Sequence, residues 1–198
     1  MKRIVLIDGE NFVYGLRILL GSEDSKAPRS SINDLNMREL LDELLADNPT
    51  SEYFWFGARL RVYDETEELR QKSQAAVSIQ SAFVNYIQQQ KIQFIKVGYL
   101  RARETEPCPK CGHTTWKLAE KGVDVGMAVR LLTEANENTE IVVVSSDTDL
   151  VPALKAAKKL GAKLMHIGYE NRPIAALSRL SDTTRTITLP LIQKHKKS

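Results

Sequence analysis

Short apolar runs alternate along the chain with amphipathic stretches. Runs that are apolar at consecutive positions suit strands buried on both faces, and they occur at 3–8, 53–62, 92–98, 140–145 and 163–168. Between them, apolar residues recur at helical spacing over 37–46, 65–90, 123–135 and 149–160. This alternation predicts an α/β fold, in which a mainly parallel sheet is covered by helices on both sides.

Three stretches fall outside the alternation. Residues 21–35 are polar and Ser-rich and predict an exposed loop, and residues 101–118 predict a small insertion. The basic tail at 191–198, after Pro190, is predicted to be disordered. Because 198 residues favour one domain, we assign residues 1–190 to a single domain that carries the insertion.

Composition excludes some classes of protein. Hydrophobic residues make up 42% and charged residues 27%, which is ordinary for a globular protein whose core needs no disulfides. No run approaches the roughly 18 apolar residues of a membrane helix. The first apolar run is too short for a signal peptide and ends at Asp8, so we expect a cytoplasmic protein with no membrane partner. The net charge of +3 says little about nucleic acid.

Carboxylates stand where two of the predicted strands end. Asp8 closes the first strand, Asp147 and Asp149 follow the strand at 140–145, and Asp124 lies near the start of a helix. Ligands of open parallel sheets bind outside the carboxyl ends of the strands, so we expect these four side chains in one crevice. Converging carboxylates repel one another unless a cation is present. The pattern predicts a Mg²⁺ or Mn²⁺ site that activates water.

Each of these residues also has a purely structural interpretation. Asp8 could end a strand in a turn, Asp147 or Ser146 could cap a helix, and Asp124 could interact with a helix dipole. Asn11 could orient the attacking water or a phosphate oxygen, or it could cap the helix that follows.

Basic residues admit two interpretations as well. Lys121 could contact phosphate or screen Asp124, or it could be an ordinary exposed lysine. Arginines recur at strand spacing in two places and could present an RNA-binding face or a merely solvated one: Arg59 with Arg61, and Arg101 with Arg103.

Three motifs resemble the NYN domain family, specifically its LabA-like bacterial branch, which belongs to the PIN-like nucleases. In chain order they are Ile7-Asp8-Gly9-Glu10-Asn11-Phe12, Lys121-Gly122-Val123-Asp124-Val125 and Val144-Ser145-Ser146-Asp147-Thr148-Asp149-Leu150. The resemblance implies a PIN-like three-layer α/β/α sandwich with a Mg²⁺- or Mn²⁺-dependent ribonuclease site.

By matching position, the resemblance implies four acidic ligands, namely Asp8, Asp124, Asp147 and Asp149. Asn11 joins them in the catalytic set, and substrate contacts are assigned to Lys121, Ser146 and Arg130. Many family members carry a further Asp six residues after the one that matches Asp124, where this chain has Arg130. The site is weaker or altered if that Asp binds metal, whereas Arg130 could instead contact RNA phosphate.

The two cysteines form a turn, Cys108-Pro109-Lys110-Cys111-Gly112-His113, that resembles one knuckle of a zinc ribbon. Structural zinc needs four ligands, and Cys108, Cys111 and His113 supply at most three. His166, a carboxylate or a second subunit could complete the site, and a homodimer would also suit the aromatic strand at 53–56. A reduced pair in a hairpin and a degenerate knuckle are the alternatives.

The first hypothesis for the function is a metal-dependent endoribonuclease. Activated water, assisted by Asp149 or Asp8, would attack the RNA phosphate in line and leave a 5′-phosphate product. The second is a non-catalytic RNA-binding regulatory adaptor, which Arg130 favours. The third is a phosphatase, which would require an Asp where this chain has Glu10.

Overall fold

A computed structural model describes residues 1–21, 34–45 and 51–197. Most of the loop predicted at 21–35 lies outside the described residues. The elements in chain order are β1 (Lys2–Asp8), α1 (Gly9–Leu19), α2 (Met37–Leu44), β2 (Glu52–Arg59), α3 (Glu67–Gln89), β3 (Ile92–Glu104), β4 (Trp116–Lys121), α4 (Val123–Glu134), β5 (Thr139–Val144), a 3-10 turn (Thr148–Leu150), α5 (Val151–Lys159), β6 (Lys163–Tyr169), α6 (Ala175–Leu180), β7 (Thr183–Ile187) and α7 (Leu189–Lys194).

The strands form one sheet in the order β4-β3-β2-β1-β5-β6-β7. Neighbours pair in parallel except β4, which runs antiparallel to β3 at one edge. The chain builds outward from β1 in one direction through β2 and β3, and in the other through β5 to β7. The crevice between β1 and β5 is therefore the switch point at which open α/β sheets bind ligands.

Alternate residues of each central strand enter opposite helical layers. In β1, Val5 and Ile7 pack with α1, α2, α3 and α7, whereas Ile4 and Leu6 pack with α4, α5 and α6. All four side chains are fully buried, which is why the strand is apolar at consecutive positions. The predicted α/β/α sandwich is confirmed. Among the described helices, none is both long and apolar enough to span a bilayer.

The aromatic strand β2 lies between β1 and β3. Tyr53 and Trp55 pack into one helical layer and Phe54 and Phe56 into the other. Trp55 contacts Phe12 edge-on, with ring centroids 5.3 Å apart. Both edges of β2 are paired with neighbouring strands of the same chain, so β2 has no open edge to which a strand of a second subunit could add.

Residues 101–118 form the outer end of a β-hairpin, in which strand residues flank a loop. Strand β3 continues to Glu104, and β4 returns beside it, so that only residues 105–115 form a loop. One face of this β3–β4 hairpin packs on Tyr63 and Leu69 through Leu100. The Cys-x-x-Cys turn lies at its tip.

The chain after Pro190 continues an ordered helix where the sequence predicts a disordered tail. Thr188 caps α7, and Ile192 is fully buried against the core. Lys194 and His195 both bond to Glu43 on α2, at 2.8 and 2.7 Å. A contact with a helix far away in sequence therefore orders this short basic segment.

Candidate metal centre

Asp8 is the last residue of β1 and the N-cap of α1. Its Oδ1 accepts a hydrogen bond from the backbone N–H of Asn11, at 3.2 Å. Its Oδ2 accepts from Nδ2 of Asn11 at 2.7 Å and from Oγ of Ser145 at 2.8 Å. Only 2% of the residue is exposed, so these donors fix the orientation of a buried carboxylate.

Two serines connect the end of β5 to this junction. Ser146 donates through Oγ to Oδ1 of Asn11 at 2.7 Å, and Oγ of Ser145 accepts from the backbone N–H of Asp147 at 3.0 Å. Asp147 in turn caps the 3-10 turn, because its Oδ1 accepts from the backbone N–H of Asp149 at 2.8 Å. Asp147 therefore caps the 3-10 turn and also lies at the sheet edge, so its structural and functional interpretations are compatible.

Asp124 reaches the edge through a tight turn between β4 and α4. Gly122 caps α4 with a φ of 80°, and Gly98 in β3 has a φ of 66°. A Cβ on Gly98 would lie 2.1 Å from the backbone oxygen of Lys121. Both positions favour glycine because their backbones are left-handed, and at Gly98 the close approach of the Lys121 backbone leaves no room for a Cβ. The turn sets Asp124 in the first turn of α4.

Three of the four predicted carboxylates converge. Asp8, Asp124 and Asp147 each present one oxygen, and these oxygens lie within 4.8 Å of one another. Asp149 is exposed and lies outside this group, although its charge acts on Asp124. Across the described parts of the chain, no other three His, Cys, Asp or Glu side chains are arranged to hold an ion.

The electrostatics of the cluster favour a bound cation. Burial raises the pKa of Asp8, an effect that the Ser145 and Asn11 donors oppose. Partial burial raises the pKa of Asp124 as well, and the charges of Asp8, Asp147 and Asp149 add to that effect while Lys121 opposes it. Three carboxylate oxygens at this spacing fit a hard dication such as Mg²⁺ or Mn²⁺, which would remove the repulsion.

The side chain of His166 contacts the backbone of Ser145 next to the site, a role that the sequence did not predict. Its Nε2 lies 2.9 Å from the backbone oxygen of Ser145, and Nδ1 lies 3.5 Å from Oγ of Ser178. Burial lowers the pKa of the imidazole. The signal that could have identified it is the presence of a histidine in the mainly apolar strand β6, which pairs with β5. Since it lies under the acidic site, its proposed part in a zinc knuckle is wrong.

The cysteine turn lacks a complete ligand set. Cys108 accepts a backbone bond from Gly112 at 2.7 Å, and both cysteines are free. Backbone N–H groups of Lys110 and Cys111 lower the pKa of the Cys108 thiol. Cys108, Cys111 and His113 do not form a three-ligand group within the described residues, so the expected zinc site is not assembled by this chain alone.

Arg130 lies away from the crevice. Its guanidinium pairs with Oε1 of Glu134 at 2.7 Å and lies over the ring of Phe54, 4.8 Å from the centroid. It follows Asp124 by about 9 Å of helix rise. In the structure Arg130 therefore pairs with Glu134 and packs on Phe54, and a contact between Arg130 and RNA phosphate stays a prediction.

Comparison with known proteins agrees with this architecture. The NYN domain model matches residues 2–189. A protein of unknown function from Vibrio parahaemolyticus, solved by crystallography, superposes with a TM-score of 0.56 over 94% of this chain and 92% of its own. The two share 14% identity, so the likeness concerns the fold alone. No curated protein matches this chain.

Proposed function

This chain belongs to the NYN domain family, a PIN-like nuclease family, and on that basis we propose that it is a metal-dependent endoribonuclease. The observation that carries the proposal is the convergence of Asp8, Asp124 and Asp147, whose oxygens lie within 4.8 Å at the switch point of the sheet. The order of the three sequence motifs further favours the LabA-like branch of the family.

Asp8, Asp124 and Asp147 would hold one Mg²⁺ or Mn²⁺ ion. When bound, the ion makes a coordinated water more acidic and offsets charge on the attacked phosphate. Three hydrogen bonds fix the orientation of the Asp8 carboxylate, whereas the side chain of Asp124 is exposed. Oxygen ligands of this kind suit these hard cations better than Zn²⁺.

Asp149 is the residue that we assign to accept the proton of the attacking water. It is exposed beside the cluster, whereas both oxygens of Asp8 are already engaged. The water oxygen would bond to phosphorus as the bond to the 3′ oxygen breaks. The products would carry a 5′-phosphate and a 3′-hydroxyl, the latter protonated by solvent.

Asn11 acts in this scheme by positioning. Its Nδ2 donates to Asp8 and its Oδ1 accepts from Ser146, so both ends of the amide are engaged within the protein. We therefore assign Asn11 to hold the Asp8 carboxylate rather than to orient water, and Ser146 to hold Asn11.

The other two functions find less support. The hypothesis of a regulatory adaptor was based on Arg130, and this residue is paired with Glu134 outside the cluster. The hypothesis of a phosphatase requires an acidic residue at position 10 that acts with the aspartates. Glu10 instead lines a cavity with Leu60 and Ala76.

The test is cleavage of RNA labelled at either end, with Mn²⁺ or with EDTA. We expect Mn²⁺-dependent cleavage that leaves 5′-phosphates, abolished by EDTA and reduced at least about a hundredfold in Asp147→Asn. Asp64→Asn is the matched control, since Asp64 is exposed and remote in sequence from the cluster. Cleavage that survives EDTA or Asp147→Asn would overturn the proposal, and metal-independent binding without cleavage would support the adaptor.

A further inference from the structure

One face of the β3–β4 hairpin carries an unusual set of side chains. Antiparallel partners point to the same face, and here the partners are Tyr99 with Lys121, Arg101 with Ala119, and Arg103 with Lys117. The face therefore presents four cations and one aromatic ring, all exposed. We call these residues, Tyr99, Arg101, Arg103, Lys117 and Lys121, the basic hairpin face.

None of the four cations forms an ion pair with any residue that the structure describes. Elsewhere, Arg130 pairs with Glu134 and Lys158 with Asp182. A cavity of about 300 Å³ lies along the basic hairpin face, and neither an aspartate nor a glutamate lines it. Unpaired cations held close together on a strand repel one another, so a polyanion would stabilise them.

The basic hairpin face ends at the acidic cluster. Lys121 is the last residue of β4, and Asp124 follows in the first turn of α4. From Lys117 to Lys121 the strand covers about 14 Å, the length of about four steps along one stacked nucleic-acid strand. The cations are thus continuous with the place where a phosphate would be cut.

The opposite face of the hairpin has the wrong chemistry for a polyanion. A larger cavity of about 510 Å³ lies there, between the hairpin and α3, lined by apolar residues such as Leu100 and Ile79. Glu10 and Glu120 also line it and would repel phosphates. Charge therefore selects the basic face.

We propose that the basic hairpin face is the surface along which single-stranded RNA lies as it enters the acidic cluster. Arg101, Arg103 and Lys117 contact successive phosphates, and Tyr99, which is 57% exposed, stacks on a base. Lys121 bridges this surface to the cluster. The proposal rests on the proposed ribonuclease function for its substrate class, but its binding test does not require cleavage.

The first experiment measures binding of a fluorescent oligouridine of about 12 nucleotides in EDTA, over a series of salt concentrations. Arg101→Gln/Arg103→Gln should weaken binding about tenfold and reduce the slope of log K against log salt by about 1.4, since each phosphate contact on a single strand contributes about 0.7. Lys159→Gln/Lys163→Gln removes the same charge from another exposed surface and should leave both quantities unchanged. Equal effects in the two variants, or no effect in the first, would overturn the proposal.

A second comparison tests the aromatic contact. Tyr99→Ala should weaken binding at least about fivefold, while Tyr99→Phe should bind as the wild type, because stacking needs the ring and not the hydroxyl. A fall in affinity that is equal in Tyr99→Ala and Tyr99→Phe would contradict stacking.

Cleavage in Mn²⁺ separates this proposal from the nuclease proposal. If the chain cleaves RNA and Arg101→Gln/Arg103→Gln cleaves with unchanged KM, the surface is wrong and the nuclease function stands. If the chain does not cleave but the arginine variant loses affinity, the surface stands as an RNA-binding site and the nuclease function fails.

Discussion

Ser145 donates a hydrogen bond through Oγ to Oδ2 of Asp8 at 2.8 Å, across the central β1–β5 pair of the sheet. The same Oγ accepts from the backbone N–H of Asp147 at 3.0 Å. One hydroxyl therefore connects two of the three converging carboxylate residues. The imidazole of His166 contacts the backbone oxygen of Ser145. The spacing of the two aspartates depends on this residue.

Ser145→Ala should weaken Mn²⁺ binding about tenfold, because partners that orient a metal ligand contribute about 10- to 100-fold to affinity. It should also lower the free energy of unfolding by about 1 kcal/mol, since the buried Oγ both donates and accepts a hydrogen bond. Calorimetric titration and thermal unfolding measure the two effects. Ser81→Ala is the control, because Ser81 is exposed and its Oγ donates to the backbone of its own helix α3. Unchanged affinity would contradict the link.

Mn²⁺ should stabilise the folded chain through the acidic cluster. At a concentration one hundred times Kd, a ligand of the native state adds about 2.7 kcal/mol, which for this size of protein raises Tm by about 5–10 °C. The increase should persist in Asp64→Asn and vanish in Asp147→Asn. Thermal unfolding with increasing Mn²⁺ measures it, and an equal increase in Asp147→Asn would place the ion elsewhere.

Without metal, two substitutions in the cluster should change stability in opposite directions. Asp124→Asn should raise the free energy of unfolding by about 0.5 kcal/mol, because it removes exposed like-charge repulsion from Asp8, Asp147 and Asp149. Asp8→Asn should lower it by about 1–3 kcal/mol, since an amide cannot accept from all the donors on Asp8. Urea unfolding in EDTA measures both. Destabilisation of equal size in the two variants would show that repulsion is not significant.

The sequence predicted the centre of the molecule because strands such as β1 and β5 are covered by helices on both faces and so are apolar at consecutive positions. Asp8 and Asp147 could be placed together because they follow neighbouring strands that end at the same edge. These inferences need only the pattern along the chain.

Features at the periphery could not be predicted in this way. Beyond Gly98, one face of β3 is polar and exposed, so residues 101–104 resemble a loop although they pair with β4. Helix α7 is ordered by bonds from Lys194 and His195 to Glu43, which lies about 150 positions earlier. Such contacts depend on the tertiary arrangement, which no local pattern encodes.

Acidification should destabilise the protein partly through His166. Burial lowers the pKa of this imidazole below its ordinary 6.5, so the unfolded chain binds a proton that the folded chain does not. The free energy of unfolding should therefore fall as the pH drops below about 6.5, by at most about 1.4 kcal/mol per pH unit. His166→Gln should show a shallower pH dependence than the wild type over that range. Identical curves from urea unfolding at each pH would contradict a buried neutral histidine.

Gly15 and Tyr169 should respond in opposite ways to substitutions that change a few atoms. A Cβ on Gly15 would lie 2.4 Å from the ring of Tyr169, whose side chain is buried between α1 and the sheet. Gly15→Ala should therefore lower the free energy of unfolding by about 1–3 kcal/mol through overpacking.

The hydroxyl of Tyr169 is buried with no partner among the described residues. Tyr169→Phe should consequently be neutral or stabilising by about 1 kcal/mol, because it removes an unsatisfied polar atom. Urea unfolding measures both, and a loss in Tyr169→Phe would show that the hydroxyl has a bonding partner, such as a buried water.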